Sequence, residues 1–418
     1  MKNGMKQTEI GEIPVEWEVV ALQDIAQRVK TKDAGGEHEV LTISAKVGFV
    51  RQEDRYSRYM AGESVKNYTL LKQGQFSYNK GNSLTYPFGC IYRLDDYTQA
   101  LVPNVYISFE LNDTADADFC RHLFLEGEFI SRLKPFITSG VRGNGLLNVN
   151  AEDFFSLKLA LPPLPEQRKI AEILSTLDEK MAVMDEQLAQ TQELKKGLMQ
   201  RLLTKGIGHT QFKDSPLGEI PESWEAVQLK DVAKFTNGKG HENCIVDDGD
   251  YIVVNSKFIS SDASVSKRSD KCLAPLLKGQ IAMVMSDVPS GKAIAKCFLV
   301  DANNRYTLNQ RICAIEAVQA DAKYLFYILN RNPYYLEFDN GISQTNLRKE
   351  EVLHCPVPLP PLPEQRQIAE ILTTVDEKIG VLQDKKAQYQ TLKRGLMQQL
   401  LTGQRRVRVP ALETAALL

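Results

Sequence analysis

The chain carries one proline-rich motif twice, and this repeat limits the available folds more than any other feature. Leu161-Pro-Pro-Leu-Pro-Glu-Gln-Arg168 recurs as Leu359-Pro-Pro-Leu-Pro-Glu-Gln-Arg366, 198 positions later. Residues 161–204 and 359–402, aligned from this motif, are identical at 30 of 44 positions. A repeat of this kind indicates a duplicated structural unit, so we expect two similar halves rather than one continuous core.

A second repeated element lies upstream of each copy. Gly11-Glu-Ile-Pro14 followed by Trp17 matches Gly218-Glu-Ile-Pro221 followed by Trp224, at an offset of 207. The stretches between these markers, roughly residues 28–160 and 235–358, show little similarity. The order is therefore marker, variable domain and helix, repeated once. We interpret the shared parts as a common frame and the variable parts as two different readers.

The repeated segment has the pattern of a long coiled-coil helix. Pro165 suits a first helical position, and apolar residues then follow a four-three spacing in which eight of ten seam positions are apolar in each copy. The apolar seam residues are Ile170, Leu174, Leu177, Met181, Met184, Leu188, Leu198 and Leu202, then Ile368, Leu372, Val375, Ile379, Leu382, Tyr389, Leu396 and Leu400. The polar breaks are Thr191, Lys195, Lys386 and Lys393. Two such helices in one chain most simply pack against each other, because a lone seam would stay exposed.

Two repeated details of the seam leave alternatives open. Lys195 and Lys393 occupy the same position of the two copies. Snorkelling toward water is the favoured interpretation, and a polar residue that sets the register is the other. Gly197 and Gly395 also repeat, and we expect a close helix crossing there rather than catalysis.

The variable domains have mixed α and β patterns. Strands are predicted at 39–43, 90–93, 105–109, 251–254, 280–285, 293–300 and 311–315, and helices at 118–134 and 322–337. Periodicity does not give the order of the strands. The fold class is therefore predicted as mixed α/β, in the α+β sense.

Composition bounds the class of protein. The net charge of −2 argues against a protein that coats nucleic acid by bulk electrostatics, but it allows a local basic face. The seven cysteines form no CxxC pair, and the N-terminus lacks the apolar core of a signal peptide. We therefore expect reduced thiols and a soluble, cytoplasmic protein with no membrane partner.

Motifs for catalysis are weak throughout. Asn332-Pro333-Tyr334-Tyr335 has one proline where an amino-methyltransferase loop has two, so a proline that interrupts or caps a helix is the better account. Gly140-Val-Arg-Gly-Asn-Gly145 and Ser290-Gly-Lys-Ala293 lack the spacing of nucleotide-binding loops. The five histidines show no metal-ligand spacing. We predict no catalytic residue and no metal site.

The variable domains do carry polar and basic loops that suit DNA contact. Arg can read guanine, Asn and Gln can read adenine, and Lys and Ser can hold phosphate, although ordinary solvated loop residues are an equally good account of any single one. The candidates in the first domain are Arg51, Arg55, Tyr56, Arg58, Tyr78, Asn79, Lys80, Asn82, Ser83, Arg142 and Asn144. Those in the second are Lys267, Arg268, Ser286, Lys292, Asn309, Gln310, Arg311, Gln344 and Asn346.

These motifs together resemble the specificity (S) subunit of type I restriction-modification enzymes. The paired helices carry the resemblance, with Leu198-Met-Gln-Arg-Leu-Leu-Thr204, Gly206-Ile-Gly-His209 and Leu217-Gly-Glu-Ile-Pro-Glu-Ser-Trp224. Ser343-Gln-Thr-Asn-Leu347, leading into Pro356-Val-Pro-Leu-Pro360, is similar to the end of that family's recognition domains. The resemblance covers nearly the whole chain, but base contacts do not carry over, because recognition domains vary within the family.

The resemblance implies a non-catalytic subunit with two target recognition domains, each reading one half of a bipartite DNA sequence. Two long antiparallel coiled-coil helices would join them in a pseudo-two-fold, circular arrangement. The expected segments are recognition domains at 1–162 and 207–360, spacer helices at 163–206 and 361–404, and a tail at 405–418. The implied partners are double-stranded DNA and two modification subunits, with restriction subunits where the system has them. S-adenosylmethionine would bind the modification subunits, ATP and Mg the restriction subunit, and no cofactor this chain.

A circular arrangement makes a further expectation about the two ends of the chain. The second helix should end near the N-terminus, which would place Arg405, Arg406 and Arg408 beside the acidic residues Glu9, Glu12, Glu16 and Glu18. A different class of protein, a coiled-coil scaffold or adaptor with two unrelated binding heads, remains the alternative. A self-sufficient methyltransferase is disfavoured by the missing motifs.

Overall fold

A computed structural model describes residues 4–33, 35–55, 62–81, 86–137, 146–288 and 291–409. The chain divides into two units of mixed α and β structure. The first unit combines Met1–Asp185 with Asp384–Leu418, and the second is the continuous segment Glu186–Gln383. The first unit therefore contains both ends of the chain.

The first unit contains twelve described strands and the beginning of a long helix. The strands are β1 (Met5–Thr8), β2 (Gly11–Pro14), β3 (Glu18–Ala21), β4 (Ala26–Val29), β5 (Leu41–Ser44), β6 (Gly48–Arg51), β7 (Thr69–Lys72), β8 (Phe76–Asn79), β9 (Cys90–Arg93), β10 (Gln99–Val102), β11 (Ile107–Leu111) and β12 (Lys158–Leu161). The helices are α1 (Leu22–Ile25), α2 (Gln52–Arg55), α3 (Ala117–Glu126), α4 (Glu128–Ser131), α5 (Ala151–Phe155) and the long α6 (Leu164–Lys205), with short 3₁₀ turns at Gly62–Asn67 and Lys134–Phe136.

The second unit repeats this plan with its own strands and helices. The strands are β13 (Phe212–Ser215), β14 (Gly218–Pro221), β15 (Glu225–Gln228), β16 (Ala233–Asn237), β17 (Ile245–Val246), β18 (Tyr251–Val254), β19 (Lys267–Ser269), β20 (Ile281–Val284), β21 (Ser286–Asp287), β22 (Cys297–Leu299), β23 (Tyr306–Leu308), β24 (Ile312–Ala317), β25 (Thr345–Asn346) and β26 (Pro356–Leu359). The helices are α7 (Leu229–Val232), α8 (Ser256–Ser260), α9 (Ala322–Leu329), α10 (Pro333–Leu336), α11 (Lys349–Leu353) and the long α12 (Leu362–Leu400), with a 3₁₀ turn at Glu242–Cys244.

The central sheet has the same topology in both units. Its order is β4-β11-β8-β9 in the first and β16-β24-β20-β22 in the second, so in chain order the strands lie first, fourth, second and third in each. All neighbouring pairs in both sheets are antiparallel. Two sequences with little similarity thus follow the same path.

Two predicted helices are shorter than the periodicity suggested. The helical pattern at 118–134 is interrupted at Gly127, which adopts a left-handed conformation with φ of 83° and separates α3 from α4. The pattern at 322–337 is divided between α9 and α10, because Pro333 begins a new helix behind the N-cap Asn332. That proline caps a helix, as its sequence context indicated.

Each unit's core includes one end of each long helix. In the first unit, Ile170 and Leu174 of α6 pack in the same core as Leu400 at the end of α12. In the second unit, Ile368 and Leu372 of α12 share a core with Leu202 of α6. The helices run antiparallel in both units, because residue numbers rise along one helix as they fall along the other.

The seam is buried or half-buried at every predicted position, including the polar breaks. Thr191 is buried, and its hydroxyl donates to the Gln187 carbonyl (2.6 Å). Lys195 contacts Asp376 in the second unit (Nζ to Oδ1, 2.5 Å), and in the first unit Lys393 contacts Asp178 (2.5 Å). These lysines bind a carboxylate on the facing helix, so the polar-seam interpretation is favoured over snorkelling.

The expectation of a close helix crossing at the two glycines is wrong for the described part of the chain. A Cβ built on Gly197 or Gly395 would meet no atom within 4 Å. Both glycines therefore face open space, even though glycine in mid-helix costs about 1 kcal/mol relative to alanine.

Candidate nucleic-acid interface

The polar residues of the second unit meet where β20 leads into β21. The Ser286 hydroxyl donates to Asn346 Oδ1 (2.7 Å), and Gln344 Nε2 donates to Ser286 Oγ (2.7 Å). Antiparallel pairing of β21 with β25 aligns these residues. The structure therefore brings together three candidates that lie about 60 residues apart in sequence.

The turn between β23 and β24 lies against the same place. Met285 N–H donates to the Arg311 carbonyl (2.9 Å), and Leu347 N–H donates to the Met285 carbonyl (2.7 Å). Asn309, Gln310 and Arg311 thus lie beside the Ser286 cluster. Arg311 has a φ of 65°, a left-handed conformation that is uncommon for a residue with a side chain. Such conformations concentrate at functional sites.

Lys239 belongs to this interface but was missed from sequence. Its N–H donates to the Leu308 carbonyl (3.0 Å), and its side chain is exposed. The signal was the sequence Asn237-Gly-Lys-Gly240 directly after β16. A Cβ on Gly238 would lie 1.9 Å from the Asn309 carbonyl oxygen, so only glycine allows this close approach.

Asp287 holds the next loop in place. One of its carboxylate oxygens accepts from Ala293 N–H (2.6 Å) and Ile294 N–H (3.1 Å), and the other accepts from Val288 N–H (2.9 Å). Lys292 is exposed on this loop. Asp287 therefore fixes the backbone that directly follows Lys292. We define the recognition edge of the second unit by its exposed or hydrogen-bonded polar residues: Lys239, Ser286, Lys292, Asn309, Gln310, Arg311, Gln344 and Asn346.

Two candidates of the second unit lie elsewhere. Lys267 and Arg268 are on β19, in the other four-stranded sheet, β17-β19-β18-β23. Arg268 Nη1 donates to the Gly249 carbonyl (2.9 Å), so part of its guanidinium already has a partner.

The recognition edge of the first unit, defined by Arg55, Asn79 and Lys80, lies at the equivalent place. β8 corresponds to β20, and Leu147 N–H donates to the Lys80 carbonyl (2.9 Å), as Leu347 N–H does to Met285. Arg55 Nη1 and Asn79 Nδ2 both donate to the Ile43 carbonyl (2.8 and 3.3 Å).

Tyr78 is not available for DNA contact, which corrects that prediction. Its side chain is fully buried, its ring stacks on Phe154 with centroids 4.7 Å apart, and its hydroxyl donates to the Phe88 carbonyl. Burial also raises the pKa of this phenol far above its ordinary value. The inward-facing side of a strand takes an aromatic residue for packing, and the loop context of Tyr78 concealed that alternation.

Arg51 is engaged by carboxylates. It contacts Glu39 (Nη2 to Oε1, 2.9 Å) and Glu53 (3.6 Å), so contact with DNA would require breaking these pairs. The remaining candidates of the first unit, Tyr56, Arg58, Asn82, Ser83, Arg142 and Asn144, lie outside the described residues.

The two repeated motifs meet in each unit at a glutamate, which is fully buried in the first unit and half-buried in the second. Trp17 Nε1 donates to Glu166 Oε2 (3.1 Å), and Trp224 Nε1 donates to Glu364 Oε2 (3.0 Å). The Trp–Glu pair therefore joins the strand marker to the base of the long helix in both units. The two duplicated motifs therefore contact each other in both units.

The side chain that faces this glutamate differs between the units. In the first, Arg406 donates through Nε to Glu166 Oε1 (2.6 Å), through Nη2 to Oε2 (2.8 Å) and through Nη1 to Glu16 (2.6 Å). In the second, His209 Nε2 lies 2.8 Å from Glu364 Oε1. The tail thus lies beside the N-terminal segment as expected, although only Arg406 of its arginines forms the predicted acidic contact, and Glu9 pairs with Lys158.

The described residues show neither a metal centre nor a membrane span. No group of three or more His, Cys, Asp or Glu among them could hold a metal ion. Likewise, none of their helices combines the length and the apolar character needed to cross a bilayer.

Two units of one topology, each with a polar loop edge and each containing parts of both long helices, define a protein with a duplicated recognition unit. The type I restriction modification DNA specificity domain matches residues 14–193 and 221–390, which is most of the chain. The chain belongs to this family. It is a specificity subunit of a type I restriction-modification system and carries DNA-recognition domains, and the scaffold alternative is not favoured.

Similar proteins agree with this assignment. The MjaVIII specificity subunit of Methanocaldococcus jannaschii is 32% identical over 294 residues, which cover 66% of this chain and 68% of that protein. The crystal structure of the type I S subunit from M. genitalium covers 96% of this chain and 97% of its own, with a TM-score of 0.60 at 13% identity. A chain from a study of type I complex assembly and conformational transition covers 94% of this chain and 99% of its own, with a TM-score of 0.52 at 18% identity. At these identities the two structures support the fold alone.

Proposed function

We propose that each unit reads one half of a bipartite DNA target through its recognition edge. The observation that carries this proposal is the repetition of the edge. After β8 and after β20, at the same point of one topology, polar side chains lie on loops held by the same backbone hydrogen bond. The side chains themselves differ, as expected for two readers of different sequences. Arginine and amide side chains suit base edges, and the lysines suit phosphate.

The chain itself supplies no catalytic group in this proposal. S-adenosylmethionine binds two modification subunits, which methylate adenine, and ATP and Mg serve restriction subunits where present. The purified chain alone should transfer no methyl group to DNA. The assembled complex should methylate a specific sequence, and its DNA affinity should fall steeply as salt is added, because phosphate contacts release counterions.

The helix pair docks the modification subunits and sets the distance between half-sites. An apolar residue and an open glycine repeat one turn apart in both copies. Leu194, which precedes Gly197, is 54% exposed, and Leu392, which precedes Gly395, is 50% exposed. A glycine that no described atom approaches allows another helix to pack closely there. The repetition suits a partner present twice.

Exchange of residues 28–160 for another recognition domain tests the proposal. Mapping of methylated adenines should show one half of the target changed and the other half retained. If both halves changed together, the readers would not be independent. If the complex bound no DNA specifically, the scaffold alternative would be revived.

Lengthening a spacer helix tests whether the helix pair sets the distance between half-sites. One added turn extends a helix by about 5.4 Å, while half-sites on one face of DNA lie about one helical turn apart or a multiple of it. Methylation of the original spacing should be altered or lost. Unchanged methylation would exclude a spacer role for the helices.

A further inference from the structure

One carboxylate in the second unit links three different elements. Asp376, on α12, contacts Lys195 of α6 through Oδ1 (2.5 Å) and accepts from the Tyr327 hydroxyl of α9 through Oδ2 (2.9 Å). The Lys195 ammonium also lies 5.8 Å from the centre of the Tyr327 ring. A single aspartate therefore joins the helix pair to the recognition domain. We call these three residues the second clasp.

The first unit has an equivalent group. Asp178 of α6 contacts Lys393 of α12 (Oδ1, 2.5 Å), and its Oδ2 lies 3.9 Å from Nδ1 of His122 on α3. Arg121 also faces Oδ2, at 3.9 Å, and His122 Nε2 lies 3.1 Å from the Ser175 hydroxyl. Asp178, Lys393 and His122 form the first clasp, in which His122 is attached to α6 by its hydrogen bond with Ser175 and not by one to the aspartate. The aspartate and lysine lie 198 positions from their counterparts, whereas the third residue differs.

The helices α9 and α3, which carry Tyr327 and His122, are each attached a second time at the N-terminal end. We call α3 and α9 the recognition helices. The Gln365 side-chain oxygen accepts from Asp321 N–H (2.8 Å), at the N-cap of α9. The Gln167 oxygen accepts from Asp116 N–H (2.7 Å), at the N-cap of α3. The N-cap and the clasp residue are six positions apart in both helices, or about 9 Å along the axis. Two separated attachments fix the direction of a helix, whereas one leaves it free to pivot.

The second clasp is placed where it contributes little to folding itself. Lys195 and Asp376 keep 27% and 35% of their side-chain surface exposed, and ion pairs this accessible are screened by water. The cores beside them already bury the apolar residues of α9. Geometry rather than stability is therefore the property that a clasp controls.

We infer that the two clasps are positioning groups that hold each recognition helix at a set angle to the helix pair, and so fix the DNA register in which each recognition edge is read. This inference rests on the proposed function. A specificity subunit with a broken clasp should still fold and assemble, but it should accept half-sites at neighbouring spacings.

The test uses the assembled complex and a set of DNA targets whose gap between half-sites varies by single base pairs. Tyr327→Phe removes the hydroxyl but keeps the ring, and Lys195→Gln removes the cation. Each should lower the preference for the original gap by about 10-fold, the loss expected for one hydrogen bond to a charged group. Lys195→Arg should retain the preference. Lys196→Gln is the matched control, because Lys196 is 77% exposed and forms an ion pair with Glu193 (3.8 Å) on the same helix.

A second measurement does not depend on DNA. Spin labels placed through unnatural amino acids at Ser264 and Lys378, both exposed and both in the second unit, report the angle between the recognition domain and α12. Tyr327→Phe should broaden their distance distribution, and Lys196→Gln should not. If the distance distributions were unchanged, or if methylation fell equally for all gaps, the clasp would have no positioning role. Failure of the wild-type complex to methylate any specific sequence would overturn the proposed function. The label distances would still test whether the clasp positions the recognition domain.

Discussion

Replacement of Arg406 by methionine should destabilise the first unit strongly, because it leaves a buried carboxylate without its cation. The Glu166 side chain is fully buried, whereas that of Arg406 is 36% exposed. Three hydrogen bonds from the guanidinium would be lost, and Trp17 Nε1 would remain as a donor to Glu166. Breaking a buried ion pair costs about 3–5 kcal/mol. Since Arg406 is partly exposed, we expect about 3 kcal/mol, the low end of that range.

Calorimetry of the purified chain can measure this cost. For a folding unit of this size, about 3 kcal/mol corresponds to a fall of roughly 6–12 °C in the Tm of the first unit. Arg408→Met is the matched control, since Arg408 is an exposed residue of the same tail. Its change should stay within about 0.5 kcal/mol.

A double-mutant cycle separates loss of the cation from loss of packing. Glu166→Gln keeps the shape of the side chain but needs no counter-charge. The pair Glu166→Gln with Arg406→Met should therefore be more stable than Arg406→Met alone. If Arg406→Met lowered the free energy of unfolding by less than about 0.5 kcal/mol, or if Glu166→Gln gave no rescue, the buried ion pair would not be what holds the tail.

Three further predictions concern a histidine, the seam and the recognition edge. Burial, and then Arg121 and Lys393, lower the pKa of His122 to about 4. Below about pH 6.5 this imidazole therefore takes up a proton in the unfolded chain but stays neutral in the folded chain. In urea unfolding, the contribution of the neutral His122 to the free energy of unfolding should be complete above about pH 6.5. It should fall progressively toward about pH 4, by up to about 3 kcal/mol, and His122→Asn should remove this part of the pH dependence. Leu177→Asp buries a charge in the seam and should cost more than 3 kcal/mol by the same assay, whereas Thr176→Asp, at an exposed neighbouring position, should cost about 0.5 or less. Gly238→Ala forces a Cβ against the Asn309 backbone and should weaken methylation at the second half-site about 10-fold. Gly240→Ala meets the flexible side chains of Glu242 and Gln310 and should be mild, so equal effects of the two substitutions would contradict the close-approach argument.

The sequence predicted best what depends on local periodicity. The helix expected at 163–206 is observed as α6, Leu164–Lys205. The strands expected at 90–93 and 251–254 coincide with β9 and β18. The seam was also located correctly, because a four-three spacing is visible in sequence. The strand predicted at 293–300 is shorter, Cys297–Leu299, because residues 293 and 294 instead donate to Asp287. A loop held by one side chain carries no periodic signal.

Features that depend on long-range pairing could not be predicted. The order of the central sheet pairs β4 with β11, whose residues lie about 80 positions apart in the chain. Snorkelling is the favoured interpretation of Lys195 and Lys393 from sequence, because their partners, Asp376 and Asp178, lie on the other helix. Tyr78 was assigned to a DNA contact because the burial of a residue beside a loop depends on which face of the sheet it occupies.

The contacts between frame and recognition domain explain how one frame can carry two unlike readers. The glutamine of the repeated motif binds a backbone N–H, at Asp116 in one unit and Asp321 in the other, and a backbone group is present whatever the sequence. In the second unit the aspartate of the clasp accepts from the Tyr327 hydroxyl. In the first unit the aspartate lies 3.9 Å from His122, whose Nε2 instead lies 3.1 Å from the Ser175 hydroxyl of the same long helix. A different polar side chain of suitable length therefore serves in each unit. In both units, a capping aspartate is followed six positions later by this polar residue. A recognition domain that meets these two requirements should be accepted by the frame with its base-reading loops unrestricted. One that lacks the polar residue should fold but be held at one end alone.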